Sequence, residues 1–224
     1  NLSIQPAVTI QDAGGNTVTS STATVVMAIG NNAGPGGVLA GTTSVAAVSG
    51  VATFNTLSLD KGANGYTLAA SSTGLTGASS NAFNITAGAA AKLAFLVQHA
   101  NLAGGSVLAS DIKVRILDTN NNLVSGSSAP VTIAIQTNPS SCTLSGTATV
   151  NAVGGVATFS DLSLDKAGAS YVLRATSGAL TGVNSSAFNV TVGAAAKLAF
   201  NVQPSDAASG VAISPAMTVL IQDA

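Results

Sequence analysis

The sequence predicts an all-β fold in which short antiparallel strands build β-sandwich domains. Apolar and polar residues alternate along short segments such as Ile112–Ile116 and Val131–Ile135, and this period of two places one face on a core and the other in water. Turn-forming pairs such as Asn138-Pro139 and Gly154-Gly155 separate the segments, as expected where the chain reverses. The alternating segments and the turns between them recur further along the chain. Helical spacing is not sustained anywhere, so we expect strands throughout.

Seven strands are predicted in each full repeat. Many short strands with turns every 8–12 residues are typical of two packed sheets. The inward faces supply Val, Ile, Leu and Phe, and burial of each large aliphatic side chain contributes roughly 1.5–3 kcal/mol. In the second repeat the predicted strands lie near 92–98, 111–117, 130–136, 142–150, 155–164, 171–176 and 187–192.

The repeat is the strongest signal in the sequence. Gly50–Phe54 recurs as Gly155–Phe159, and Gly88–Phe95 recurs without change as Gly193–Phe200, each 105 residues later. Solenoid units are roughly 20 to 50 residues long, whereas this period is the size of one whole sandwich domain. The repeat unit is therefore predicted to be a complete domain.

The phase of the repeat predicts three segments. Residues 1–87 form a repeat that lacks its first strand, residues 88–192 form a complete repeat, and residues 193–224 form the opening strands of a third. Two explanations remain open. The chain is a window on a longer polypeptide, or residues 197–224 fill the missing edge of the next subunit's residues 1–87 by donor-strand exchange.

Composition excludes several classes of function. Of 224 residues only 7% are charged, and the net charge is −1, so the chain has no basic field for a phosphate backbone and we predict no nucleic-acid binding. No apolar run reaches the roughly 18 residues that a membrane-spanning helix needs. Weak electrostatic repulsion between copies favours a packed surface layer, fibre or sheath.

The repeated blocks resemble bacterial immunoglobulin-like domains of the invasin/intimin type. They are Gly-Val-Ala-Thr-Phe at Gly50–Phe54, Leu-Ser-Leu-Asp-Lys at Leu57–Lys61, Gly65–Leu68, and Ala-Phe-Asn-Ile-Thr at Ala82–Thr86. The resemblance implies tandem immunoglobulin-like Greek-key sandwiches at the cell surface, in a rod-like adhesin stalk or a filament. The resemblance does not assign a receptor-binding role to any residue of this chain.

One turn has the residue types of a calcium loop. Asp118, Asn120 and Asn122 alternate acidic and amide side chains, as oxygen ligands of Ca²⁺ do. The corresponding turn Asp12–Asn16 has Gly14 and Gly15 in place of Asn120 and Asn121 and so loses two oxygen ligands. We therefore favour a hairpin turn in which the aspartate caps backbone amides. A metal at Asp118, Asn120 and Asn122 remains the weaker alternative, and Asp60, Asp111 and Asp165 are further candidates for a calcium ion between repeats.

Three asparagines match the acceptor pattern for N-glycosylation. Asn84, Asn184 and Asn189 are each followed two residues later by Ser or Thr, and such sites lie on exposed segments of secreted proteins. Alternation with Phe83 and Phe188 points Asn84 and Asn189 outward. The tripeptide also arises by chance in strands rich in Thr and Asn, so glycosylation is a secondary prediction.

No constellation of catalytic residues is present, and we predict neither an enzyme nor a cofactor. His99 is the only histidine, and Pro204 takes its place in the next copy. Cys142 is the only cysteine and cannot form a disulfide within the chain. Tyr66 and Tyr171 open the penultimate strand of each repeat, a position that suits a core ring with its hydroxyl on nearby backbone.

The segments between repeats are short and contain no proline. So few residues leave little contour length, about 3.3–3.6 Å per residue when extended, and we predict a stiff joint in which each repeat adds a fixed length. The predicted linkers consist of Gly88, Ala89, Ala90, Ala91, Gly193, Ala194, Ala195 and Ala196.

The predicted function is an extracellular structural or adhesive repeat that forms a stiff rod or a self-assembling filament. The expected partners are neighbouring repeats and copies of the same chain. The alternative is a carbohydrate- or cell-binding module, which would need an exposed aromatic cluster. The sequence has no Trp and only two Tyr, which favours the structural role.

Overall fold

The computed structural model describes residues 2–103, 108 and 111–223. These residues form two compact units: unit 1 comprises Asn1–Ala89 with Asp118–Val124, and unit 2 comprises Ala90–Leu117 with Ser125–Ala224. The chain therefore passes from one unit to the other three times. Residues 1 and 224, at the ends of the first and third predicted segments, lie outside the described residues. The boundaries predicted at 87/88 and 192/193 remain predictions.

Unit 1 consists of nine short strands, and the described part of the chain contains no α-helix. The strands are β1 Ala7–Thr9, β2 Thr24–Asn31, β3 Leu39–Ala40, β4 Ser44–Ala46, β5 Val51–Thr53, β6 Ser58–Leu59, β7 Ala63–Ser71, β8 Ala78–Ser79 and β9 Phe83–Ile85. One sheet has the order β4-β2-β7-β8, with β9 also on β7, and smaller sheets pair β1 with β5 and β3 with β6. The pairs are antiparallel.

Unit 2 repeats this arrangement with added strands. Its strands are β10 Lys92–Val97, β11 Leu102–Ala103, β12 Ile112–Leu117, β13 Pro130–Thr137, β14 Leu144–Ser145, β15 Thr149–Asn151, β16 Val156–Phe159, β17 Ser163–Leu164, β18 Gly168–Thr176, β19 Val183–Asn184, β20 Phe188–Thr191, β21 Lys197–Val202 and β22 Thr218–Gln222. The larger sheets have the orders β11-β20-β18-β13-β15, with β19 also on β18, and β10-β12-β16. Two further pairs are β14-β17 and β21-β22.

Each unit has its own apolar core at the positions that alternation predicts. In β12, Ile112, Val114 and Ile116 are buried while Lys113 and Arg115 are partly exposed. Unit 1 buries Phe54, Leu57 and Leu68 in one cluster. Phe159 and Leu162, which stand 105 residues after Phe54 and Leu57, are buried in unit 2. The predicted all-β, immunoglobulin-like sandwich is confirmed.

Two predicted strands are each divided in two. The segment 142–150 forms β14 and β15, which pair with β17 and β13 respectively. Gly146 lies between them with φ 100°, a left-handed conformation that favours glycine, and a Cβ there would clash with the Asp161 carbonyl oxygen. The segment 155–164 divides in the same way into β16 and β17. Alternation continues across such a bend, so it did not reveal that the strand changes sheets.

Among the described residues, no helix has the length and apolarity required to span a bilayer.

Candidate docking sites on unit 1

Asp118 organises a turn that belongs to unit 1. Its Oδ1 accepts hydrogen bonds from the backbone amides of Asn120 and Asn122, both at 2.8 Å. Its Oδ2 accepts from the Gly88 amide at 2.9 Å and from Asn122 Nδ2 at 2.8 Å. Four N–H groups therefore converge on one carboxylate that is only 2% exposed. This is the amide-capping turn that the sequence favoured.

Asn122 links this turn to the loop at Asp60–Gly62. Its Oδ1 accepts from the Gly62 amide at 3.0 Å, and its Nδ2 donates to the Asp60 carbonyl at 2.8 Å. Lys61 Nζ also donates to the Asn120 carbonyl at 2.9 Å. The turn thus docks through side-chain and backbone hydrogen bonds at a loop some 60 residues earlier in the chain. We call Asp118–Asn122 the docking turn and Asp60–Gly62 the receiving loop.

The corresponding turn at Asp12 has the same internal bonds but an exposed carboxylate. Asp12 Oδ1 accepts from the amides of Gly14 and Asn16, both at 2.9 Å, and Asn16 Nδ2 lies 3.2 Å from Asp12 Oδ2. Asp223 makes the contact that Asp118 makes to Gly88, because its Oδ2 accepts from the Gly193 amide at 2.8 Å. The same turn therefore forms at Asp12 and at Asp118.

Hydrogen bonding lowers the pKa of the Asp118 carboxyl. Burial acts in the opposite direction, but the N–H donors of Asn122, Gly88 and Asn120 outweigh it and hold the pKa below the ordinary value of 3.8. The pKa of Asp12 is also lowered, chiefly by the Asn16 backbone amide. The Asp118 carboxylate accepts from four N–H donors and the Asp12 carboxylate from three. Such hydrogen bonds favour the ionised form of a carboxyl group.

Acid is expected to destabilise unit 1 through Asp118. A carboxyl with a lowered pKa in the folded state contributes stability above its unfolded value, and this contribution is lost as the pH falls through the folded value. Denaturant midpoints of unit 1 measured between about pH 5 and 2.5 should therefore decrease. The decrease should be smaller in Asp118→Asn, where the charge is absent, than in the matched variant Asp12→Asn. Equal slopes in both variants would contradict this assignment.

The predicted metal ligands Asp118, Asn120 and Asn122 all lie in this turn, but N–H donors already bind both oxygens of the Asp118 carboxylate. Asp118 directs both oxygens at amides, and Asn122 directs its oxygen at Gly62. The described part of the chain contains no group of three or more His, Cys, Asp or Glu side chains suited to a metal ion. Sequence reasoning missed the role of the receiving loop, although the repeated block Leu57–Lys61 contains two of its residues.

A groove of about 630 Å³ runs along β9 in unit 1. Phe83, Ile85 and Leu2 contribute apolar walls, and Asn84 and Thr86 contribute polar groups. Phe83 and Ile85 are only half-buried, whereas their counterparts Phe188 and Val190 in unit 2 are each 3% exposed. The groove is therefore an apolar sheet edge that is covered in one repeat and open in the other.

Residues Gln98–Ala103 cover the corresponding edge in unit 2. β11 pairs in parallel with β20, with Leu102 opposite Val190 and Ala103 opposite Thr191. The amide of Asn189 donates to Asn101 Oδ1 at 2.8 Å, and the amide of Ser186 donates to Gln98 Oε1. The His99 ring lies 6.0 Å from the Phe188 ring. His99 therefore packs against the buried Phe188 ring of unit 2.

The predicted glycosylation positions are all exposed. The side-chain oxygen of Asn84 accepts from the Gly65 amide at 3.0 Å, and that of Asn189 accepts from the Ser170 amide at 2.9 Å. Asn184 accepts from Arg174 Nη1 at 3.2 Å. Each side-chain oxygen therefore has a structural partner, and glycosylation, which would take place on the side-chain nitrogen, stays a prediction.

The two tyrosines occupy the predicted core position. Both are fully buried, and their hydroxyls donate to the carbonyls of Lys61 and Lys166 at 2.9 and 3.0 Å. Burial raises the pKa of Tyr171. Neither ring is available to stack on a sugar. Cys142 is a buried free thiol.

The predicted linkers are anchored at their glycines. Gly88 and Gly193 donate to Asp118 and Asp223 respectively, and the Ala91 amide donates to the Leu117 carbonyl within unit 2 at 2.8 Å. Ala89 ends the first segment of unit 1, and Ala90 begins unit 2. Ala194, Ala195 and Ala196 are exposed.

The chain is an all-β protein built from repeated immunoglobulin-like sandwiches. No protein-family model matches it, and no curated protein sequence matches it. Among solved structures, it is similar to a β-glycosidase from Bacteroides vulgatus with 14% identity and a TM-score of 0.38, over 76% of this chain and 21% of that one. The chain thus spans about a fifth of the length of that structure.

Two further solved structures are also similar to the chain. Domains 4 and 5 of the S-layer protein SbsC match with 15% identity and a TM-score of 0.33, over 82% of this chain and 80% of that one. Invasin, a bacterial integrin-binding protein, matches with 16% identity and a TM-score of 0.32, over 87% of this chain and 37% of that one. At these identities the similarity concerns the fold alone.

Proposed function

We propose that this chain is an extracellular structural repeat that sets a fixed spacing along a surface rod or filament. The observation that carries the proposal is the docking turn, in which Asp118 and Asn122 fix a segment of the second repeat within unit 1. Low charge and buried tyrosines agree with a scaffold role. A location outside the cell and assembly with copies of itself are part of this proposal.

Stiffness is supported by the number of chain passages between units. A single flexible connection would allow wide reorientation, but this chain crosses at 89/90, at 117/118 and at 124/125. The Gly88 amide and the docking turn share one carboxylate, Asp118. These bonds hold the segment Asp118–Val124 within unit 1, and a stiff joint between the repeats is part of the proposal.

Distance measurements between spin labels test this proposal. Labels at Val48→Cys and Val153→Cys, which are 76% and 83% exposed in units 1 and 2, are introduced together with Cys142→Ala. The stiff-spacer proposal predicts one narrow distance distribution. Adding Asn122→Ala should broaden it, whereas the equivalent change Asn16→Ala in the exposed turn should not. A broad distribution in the parent chain would reject the stiff spacer.

A further inference from the structure

We propose that the outer face of the sheet β10-β12-β16 in unit 2 binds an acidic polysaccharide through carboxylate or phosphate groups. We call this surface the cationic face and define it by Lys92, Lys113 and Arg115, which lie on β10 and β12. All three residues belong to unit 2. The inference goes beyond the spacer role, because it gives one repeat a ligand of its own.

Strand geometry places the three cations side by side. Lys113 and Arg115 are partly exposed and alternate with buried residues of β12, so both point to the outer face, about 6.6 Å apart along the strand. Ala94 stands opposite Arg115, which puts Lys92 diagonally across from Arg115 at about 7–8 Å. Like charges at such neighbouring positions repel one another, so the arrangement favours an anion that binds to all three.

The carboxylates of unit 2 leave this face positive. Asp161 and Asp165 accept hydrogen bonds from backbone amides of neighbouring loops at 2.9 and 2.7 Å. Asp111 is exposed and directly precedes β12, so the period of two places it at one end of the face, next to Lys113. Asp111 is thus one carboxylate beside three cations. The local charge is positive although the net charge of the whole chain is −1.

Arg115 has a hydrogen-bond donor that the fold does not use. Its Nε is buried and has no hydrogen-bond partner among the residues that the structure describes. A buried donor without an acceptor is unfavourable, especially on a charged group. Carboxylate and phosphate groups accept two parallel hydrogen bonds from a guanidinium, and Arg115 is partly exposed. An oxyanion from a ligand would therefore supply the acceptor that is missing.

The other copies of this strand show that folding does not require the two β12 cations. Ala7 and Thr9 occupy the corresponding positions in β1, and Thr218 and Leu220 occupy them in β22. Each of these strands still pairs with an antiparallel neighbour. The cations are therefore a property of the second repeat alone among the three copies in this sequence, which favours a role in binding over a role in the fold.

The face favours a carbohydrate polymer over a peptide. Small side chains stand beside the cations, with Ala94 and Val156 opposite Arg115 and Thr158 opposite Lys113, whereas protein partners usually insert large anchor side chains into pockets. Extended peptides add to the edge of a sheet, but β12 is the central strand of this one. Closely spaced charges on a flat surface suit a polymer whose anionic groups repeat along its backbone, so that charge carries the binding.

Isothermal titration of the whole chain with a short oligogalacturonate tests the proposal, with a neutral malto-oligosaccharide of equal length as the reference. We expect the acidic sugar alone to bind. Its affinity should fall as the NaCl concentration rises, because salt screens interactions between exposed charges. A dextran phosphate of similar length provides the second acidic probe. Binding of either acidic polymer supports the proposal, and the tighter of the two identifies the preferred oxyanion.

The first repeat supplies the substitutions that test the residues. Lys113→Ala with Arg115→Thr gives β12 the side chains of β1 and should weaken binding about tenfold or more, as expected when two charged donors are lost. The matched variant Lys166→Gln with Arg174→Gln removes two exposed cations elsewhere in unit 2 and should leave the affinity unchanged. Asp111→Asn should raise it by removing a repelling carboxylate. Thermal melts check that each variant folds.

Several results would overturn the proposal. They are an absence of binding to both acidic polymers, equal affinity before and after Lys113→Ala with Arg115→Thr, and equal losses in the two double variants, which would mean that net charge alone is responsible. Tighter binding to polyglutamate or to anionic lipid vesicles would reject a polysaccharide as the ligand. None of these results bears on the spin-label distances, so the spacer function is tested separately.

Discussion

Phe159→Ala is expected to destabilise unit 2 by about 3–5 kcal/mol, the range for removing a large aromatic side chain from a well-packed core. Phe159 lies at the end of β16 and is 2% exposed. Its loss leaves a cavity in a unit whose Leu162 and Leu164 are also buried. Because each unit has its own core, the loss should remain within unit 2 and leave the core of unit 1 protected.

Hydrogen exchange resolves the two units in one experiment. In Phe159→Ala, amides of β13, β16 and β18 should exchange faster, while amides of β2 and β7 in unit 1 should change little. The matched variant Phe54→Ala removes the equivalent side chain from unit 1, where it is fully buried, and should give the opposite pattern. Equal loss of protection in both units, in both variants, would mean that the chain folds as one cooperative body.

The strand pattern could be predicted from sequence because each signal is local. Alternation of apolar and polar residues sets which face of β12 and β13 is buried, and the repeat confirms each assignment at a second position. The bend at Gly146 was missed because a strand that changes sheets keeps its alternation. Only the positive φ at that residue marks the change.

The docking turn was predictable in part. Asp118 with its following asparagines indicated an amide-capping turn, and that prediction concerned residues within five positions of one another. Its contact with Asp60–Gly62 joins residues about 60 positions apart, and no local pattern encodes which loop an asparagine will meet. The groove along β9 likewise becomes visible only when Phe83 and Phe188 are compared in three dimensions.

Comparison of Asp12 with Asp118 explains why the Asp118 carboxylate is expected to contribute more to the stability of unit 1. Asp12 and Asp118 have the same turn around them, and both accept hydrogen bonds from the amides two and four residues later. Of these two carboxylates, Asp118 alone accepts from a distant glycine, Gly88, and Asp118 alone is buried. The free energy of a hydrogen bond to a charged group depends on how completely water is excluded from it.

Asp118→Ala is accordingly expected to lower the stability of unit 1 by about 2–4 kcal/mol, because four N–H groups lose a charged acceptor and the Gly88 amide is left without its partner. Asp12→Ala removes the same side chain from the exposed turn and should cost about 1 kcal/mol or less. Denaturant unfolding followed by the exchange of unit 1 amides measures both. Asp118→Ala should also broaden the spin-label distance distribution, since the Asn122 side chain would lose the carboxylate that orients it toward the receiving loop. Similar losses in the two variants, with an unchanged distribution, would show that the turn closes only on itself and that stiffness at the joint has another origin.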